Sequence, residues 1–216
     1  MNRITKKESS NARQYAIEIL NYLQNNLAAK YIFSYKLVGS AVWNTILRDK
    51  EDYFDIDYQI LLTKNSKGDL SNATKIKNDF FNCLNNYFKN KKYIKVENST
   101  TAITLINTVE KYSIDFVIIK TFPDNNLIIR RNNKKQSSIN EFTWNELKKF
   151  NNAYEKMDLL SSAEKSDLIE NHVLPRKARE KLKNDGDPTK KSSCEILIEE
   201  INNYVSRKFN NWLRRK

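Results

Sequence analysis

The run Tyr53–Leu62, YFDIDYQILL, constrains this chain more than any other segment. Phe54, Ile56, Tyr58 and Ile60 alternate with Asp55, Asp57 and Gln59, the period-2 pattern of a strand with one face in a core. Residues two apart on a strand share a face at about 6.7 Å, from a rise of ~3.3 Å per residue. Two carboxylates at that spacing repel by roughly 2–3 kcal/mol at an effective dielectric of 20. Aspartate is also a poor strand former. A cation offsets both costs, and a hard divalent ion with a preference for oxygen suits them best. The pair alone is a weak signal. An Asp-x-Asp arises by chance in about half of chains of this length, and a solvated strand face carries one equally well.

Two further features give the pair its meaning. Gly39-Ser40 closes a β-like run, Ile32–Val38, and opens AVWNTIL (Ala41–Leu47), which reads as a short helix. Amides at a helix N-terminus and a serine hydroxyl suit a phosphate, although an ordinary N-cap serine gives the same dipeptide. Asp115 lies in YSIDFVII, whose bulky apolar neighbours mark a central, buried strand. An unpaired carboxylate there is expensive, unless backbone donors or a lysine satisfy it. If that strand adjoins Asp55 and Asp57 in register, three acidic side chains converge. Such a convergence suits a two-metal site for in-line phosphoryl transfer.

The remaining periodicities supply a frame. Ala16, Leu20, Leu23 and Leu27 predict a helix from about Ser10 to Ala29. A second helix, capped by Ser71 or Asn72, buries Ile76, Phe80, Leu84 and Tyr87. YIKVE, TAITLIN and YSIDFVII form a meander that Phe122-Pro123-Asp124 ends. Arg130–Ser138 reads as a basic loop, and Thr143 with Glu146 as a capping box for a helix through about Met157. Another helix starts at Ser161 or Ser162, with Pro175 interrupting or kinking it. After a break at Gly186-Asp187-Pro188, a last helix from about Ser192 carries Ile198, Ile201, Val205, Phe209 and Trp212 on its apolar face. The expectation is an α+β core over residues 1–125 and a helical region over 126–216 packed on it. His172 reads as structural, and Trp43, Trp144 and Trp212 as core.

A net charge of +12 fits either a lysine-rich soluble surface or a polyanionic partner. One histidine and two distant cysteines, Cys83 and Cys194, offer no zinc spacing, so both cysteines read as reduced thiols. No apolar run approaches the ~18 residues of a membrane span. The chain reads as cytoplasmic, with no membrane partner.

The order of strand, Gly-Ser, short helix, Asp-x-Asp strand, long helix, meander and third aspartate resembles the DNA polymerase β-like nucleotidyltransferase superfamily, over roughly residues 10–120. The resemblance implies a nucleotidyltransferase fold, with a mixed, mostly antiparallel sheet flanked by helices. It implies that Gly39 and Ser40 hold the triphosphate of a nucleoside triphosphate such as ATP. It also implies that Asp55 and Asp57 bind both Mg²⁺ ions (Mn²⁺ as a substitute), and that Asp115 binds the catalytic one. The interval of 15 residues from Ser40 to Asp55 (55 − 40) is long for the superfamily, with RDKEDY as an insertion. The N-terminal helix and VENSTTAITL look like the oligoadenylate-synthase-like branch, which includes bacterial cyclic-oligonucleotide synthases of antiphage signalling. The helical tail is short for that branch.

The implied activity joins a nucleoside monophosphate to a hydroxyl of an anionic acceptor, a nucleotide or RNA. Arg130, Arg131, Lys134 and Lys135 either clamp its phosphates or form a solvated loop, and the same choice applies to Arg207-Lys208 and Arg214-Arg215-Lys216. Three alternatives stay open: a toxin or regulator acting on tRNA or protein, an antibiotic-modifying enzyme, and a non-catalytic nucleic-acid-binding module. The charge of +12 counts against the antibiotic reading, because a polycationic acceptor calls for an acidic pocket.

Overall fold

Thr5 and Glu8 cap each other reciprocally, side chain to backbone amide, and so start helix α1 (Lys6–Leu27) earlier than its periodicity predicts. This is the structure of a computed structural model, which describes residues 2–122, 125–132, 141–147, 152–183, 187 and 189–213. Helix α1 turns its Ala16, Ile19, Leu20, Leu23 stripe inward. Helix α2 (Ala73–Phe88), capped by Asn72, does the same with Ile76, Phe80 and Leu84.

Both helices share one core with the buried face of a seven-stranded mixed sheet. Its strands are β1 (Phe33–Val38), β2 (Phe54–Leu62), β3 (Ile94–Asn98), β4 (Ala102–Asn107) and β5 (Tyr112–Thr121), followed by β6 (Asn126–Arg131) and β7 (Phe142–Glu146). The spatial order is β1-β2-β5-β4-β3, with β6 and β7 continuing from the far end of β5. Strands β2 and β5 run parallel and every other pair is antiparallel. The expected meander is β3-β4-β5. The α2–β3–β4 segment is the crossover that a parallel β2–β5 pair requires.

Three local expectations fail, each for a readable reason. Ala41–Leu47 is not a helix. A single 3₁₀ turn (Gly39–Ala41) is followed by Asn44 at φ 53°, a left-handed residue that cannot continue it. Thr143 and Glu146 do not cap a helix but lie in β7, where Leu127–Arg131 of β6 supply the partners. The aromatic alternation of Phe142 and Trp144 outweighs the Thr-x-x-Glu spacing. Arg130 and Arg131 belong to β6 rather than to a loop, whereas Lys134, Lys135 and the stretch to Ser138 fall outside the described residues. The sheet therefore runs past residue 125, and the segment from 126 onward is not wholly helical.

Beyond the sheet, α3 (Ala153–Asp158) precedes α4 (Ser162–Asp167), which Ser161 caps together with Glu164. A π turn (Leu168–Val173) joins α4 to α5 (Leu174–Leu182), and Pro175 sits in the first turn of α5. The proline thus marks a widened turn, not a break. Ser192 and Glu195 cap α6 (Ser193–Leu213). These helices enclose a second core of Ala153, Met157, Leu168, Val173, Leu197 and Ile201. Trp43 stacks on Tyr154 against it, and His172 meets the Tyr204 ring edge-on. Trp144 packs on the first core and donates to the Leu70 carbonyl at 3.0 Å. Pro123, Asp124, Gly186, Pro188, Arg214–Lys216 and the Trp212 side chain lie outside the described residues. Among the described residues no helix is long and apolar enough to cross a membrane.

Phe80 is fully buried between the rings of Tyr31 and Phe33, at 5.6 and 5.3 Å. Phe80→Ala should cost about 3–5 kcal/mol, read as a lower urea midpoint with an unchanged slope.

Candidate active site

The parallel pairing of β2 and β5 sets Asp57 opposite Asp115 and Asp55 opposite Ser113. Register neighbours project to the same side, so all three aspartates occupy the face that the apolar residues of both strands turn away from. The condition set by the sequence, one shared face and adjacent strands, holds.

Strand β1 pairs with the other edge of β2 and delivers Val38 opposite Asp57, so the chain turns at Gly39-Ser40 directly beside that carboxylate. Gly39 has φ +67°, and a Cβ there would come within 2.5 Å of Asp57 Oδ2. Both facts demand glycine. On the other flank, Thr104 of β4 lies opposite Asp115 and donates to its Oδ1 at 2.6 Å. Ser113 donates to Asp55 Oδ1 at 2.5 Å.

Gly39, Ser40 and the three aspartates line one cavity of about 290 Å³. Its opposite wall comes from the C-terminal helices, through Tyr154, Lys177, Cys194 and Leu197. Lys177, only 2% exposed, donates to Ser40 Oγ at 2.8 Å, to the Thr45 carbonyl at 2.5 Å and to Thr45 Oγ1 at 3.3 Å. Lys181, one turn on, donates to the Leu47 carbonyl at 2.7 Å. A second cavity of about 430 Å³ adjoins the first, sharing Asp55, Lys177 and Lys181 and adding Lys50, Lys183, Lys190 and Lys191 beside Asp49, Glu51 and Glu180. Across the first cavity the three aspartates face Lys177 and Lys181.

Burial pushes the Asp57 carboxyl up to about 7, with Asp115 and then Asp55 adding to the shift and Lys177 opposing it. Asp115 is also raised by burial and by Asp55, against the Thr104 hydrogen bond and Lys77. Burial lowers Lys177 to about 8, helped by Lys181 and opposed by the aspartates. A set of oxygen donors short of positive charge suits a hard divalent cation. Among the described residues no three carboxylate, imidazole or thiol side chains stand drawn together as a finished cage.

Lys177, Lys181, Thr45 and Tyr154 escaped the sequence reading. The available signal was Val173-x-x-x-Lys177-x-x-x-Lys181, lysines on the buried stripe of a helix at i+4 spacing. Of the basic runs singled out earlier, the described residues Arg130, Arg131, Arg207 and Lys208 are not part of either cavity. Arg131 donates to the Asn98 carbonyl and lies over the Phe142 ring, Arg130 is exposed, and Lys208 pairs with Glu164. Cys83 and Cys194 are free thiols, the latter in the cavity wall.

Among solved structures, the chain aligns with the STING-associated CdnE c-di-GMP synthase from Capnocytophaga granulosa at 20% identity and a TM-score of 0.60, covering 93% of this chain and 61% of that one. The Vibrio cholerae DncV cyclic AMP-GMP synthase aligns at 16% identity and 0.60, covering 82% and 46%. The Bradyrhizobium diazoefficiens CD-NTase CdnG, in complex with GTP, aligns at 13% and 0.53, covering 72% and 42%. The chain has the CD-NTase nucleotidyltransferase fold. It spans 42–61% of the length of these proteins. No protein-family model and no curated protein matches it.

Two outcomes follow from the site's strain. Gly39→Ala should destabilise by at least ~1 kcal/mol from the left-handed backbone alone, and should displace Asp57. Because folding raises the Asp57 pKa from 3.8 to about 7, its contribution is full below pH 3.8 and is lost as pH rises through 7. In EDTA, Asp57→Asn should therefore melt higher than wild type at pH 8, by at most a few kcal/mol, and the gap should close by pH 4.

Proposed function

We propose that the chain is a metal-dependent nucleotidyltransferase that moves a nucleoside monophosphate from a nucleoside triphosphate to a hydroxyl of an anionic nucleotide acceptor, releasing pyrophosphate. The product in this reading is a cyclic or linear oligonucleotide signal made in the cytoplasm, of the kind used in antiphage defence. The observation that carries it is the Asp57–Asp115 register, with Asp55 alongside and the Gly39-Ser40 turn against Asp57, all in one cavity. The shared fold with cyclic dinucleotide synthases supports the same reading.

The chain's own groups have distinct tasks. The Gly39 and Ser40 turn offers backbone and hydroxyl donors to the triphosphate. Lys177 already donates to Ser40 and can exchange the Thr45 oxygens for phosphate oxygens, while Lys181 extends positive charge along the tail. Asp115, with Oδ1 held by Thr104, keeps Oδ2 for the acceptor hydroxyl and its proton. As that oxygen bonds to the α-phosphorus, the bond to pyrophosphate breaks and its electron pair leaves with the pyrophosphate. Magnesium, or manganese in its stead, held by Asp55, Asp57 and Asp115, would neutralise phosphate charge and acidify the hydroxyl. The lysine-rich second cavity suits the polyphosphate.

Incubation with labelled nucleoside triphosphates, singly and mixed, with Mg²⁺ or Mn²⁺ should give pyrophosphate and an oligonucleotide, phosphatase-resistant if cyclic. Asp57→Asn should lose more than about 100-fold, beyond the range typical of outer-shell partners. Label transferred instead to bulk tRNA or to protein would replace the nucleotide acceptor with the toxin or regulator reading. Full activity in Asp57→Asn would end the metal mechanism.

A further inference from the structure

Lys77 on α2 has no exposed surface, and neither cavity includes it. Its Nζ donates to the Ser99 carbonyl at 3.1 Å and stands 4.7 Å from the Phe142 ring centre. Arg131 approaches the same ring at 5.1 Å, donates from Nη2 to the Asn98 carbonyl at 2.5 Å, and gives its backbone amide to the Thr100 carbonyl at 2.7 Å. Three consecutive carbonyls of the β3–β4 turn are thus held from α2 and β6. Within the turn, Ser99 Oγ lies 3.5 Å from Thr104 Oγ1 and donates to the Ala102 carbonyl at 2.9 Å. Thr104 in turn donates to Asp115.

A turn between two antiparallel strands does not need a buried lysine and a half-buried arginine to close it. A buried lysine carries a desolvation cost that a methionine of similar length would avoid. Here the cations converge on the turn whose Ser99 hydroxyl lies against the Thr104 hydroxyl that donates to the third carboxylate. We propose that Lys77 is a positioning residue: with Arg131 it clamps the β3–β4 turn, and through Thr104 it fixes Asp115 so that one oxygen is committed and the other faces the cavity. This rests on the nucleotidyltransferase reading of the site. Lys77 also feels the Asp115 charge, in the direction that favours the ionised carboxylate. The role therefore stands on geometry and gains from electrostatics.

The test uses Lys77→Met, Thr104→Val and Thr104→Ser in the full chain, with three readouts: melting temperature, Mn²⁺ affinity by calorimetry, and kcat against KM with labelled triphosphates. Lys77→Met should melt no lower than wild type, yet lose about tenfold or more in kcat or Mn²⁺ affinity, with KM for the nucleotide within about twofold. Thr104→Val should lose as much and Thr104→Ser should recover it. The Lys77→Met/Thr104→Val double variant should be no worse than the poorer single one, since both lie on one path. Wild-type kcat and Mn²⁺ affinity in Lys77→Met, or losses that multiply in the double variant, would overturn the proposal and leave the nucleotidyltransferase reading intact. A wild-type chain that neither binds Mn²⁺ nor forms product would overturn both.

Discussion

Everything at the site depends on the parallel pairing of β2 with β5. Strand side chains alternate faces, so a slip of one residue would leave Asp115 opposite Ile56 or Tyr58 and send it into the core. The apolar half of the pattern prevents that slip. Phe54, Ile56, Tyr58, Ile60 and Leu62 lie buried beside Tyr112, Ile114, Phe116 and Ile118, under α1 and α2. Each such side chain contributes roughly 1.5–3 kcal/mol on burial, against a repulsion of roughly 2–3 kcal/mol between neighbouring carboxylates. The core decides the register, and the acids follow it against their own preference.

That arrangement leaves a charge problem, and the fold answers it with two buried lysines on different elements. Lys177 lies on the cavity side, bonded to Ser40 and Thr45 on a helix of the C-terminal region, while Lys77 stands behind the β3–β4 turn on the helix that also builds the first core. Both are lowered by burial, which outweighs the attraction each gains from the aspartates. Tension of this kind is common where a surface is shaped for a ligand of opposite charge.

How much of this was legible depends on the range of each signal. Alternation in YFDIDYQILL and the bulky apolar neighbours of Asp115 in YSIDFVII marked both central strands, because such patterns are local, whereas the shared face of the three aspartates depends on the β2–β5 register. The Gly39-Ser40 corner was legible as a break after a strand, though not as a single 3₁₀ turn ended by Asn44. The β6–β7 pairing was hidden because its partners flank a basic stretch and because Thr143-x-x-Glu146 imitates a helix start. Thr104 was in view as part of TTAITL, but its contact with Asp115 requires the β4–β5 register. The burial of Lys177 had a local signal, but its contacts were beyond reach, since Ser40 and Thr45 lie 137 and 132 residues before it.

The segment from Gly39 to Leu47 now takes on a role that its irregularity conceals. It lies between the two cores and contributes little regular hydrogen bonding of its own. Ser40 and Thr45 accept from Lys177, Leu47 accepts from Lys181, and Trp43 stacks on Tyr154. The C-terminal helices are thus fastened to the sheet largely through the same corner that contacts Asp57. Polyphosphate entering beside Ser40 would compete with Thr45 for Lys177, so occupancy of the cavity and seating of the helices share one set of donors. A regular helix ending at Leu47 would also leave its last four carbonyls without internal partners, but it would not place Asn44 at the left-handed φ of 53° that turns the chain between Ser40 and Thr45. The contacts of this corner with Lys177, Lys181 and Tyr154 are what couple the two halves of the cavity.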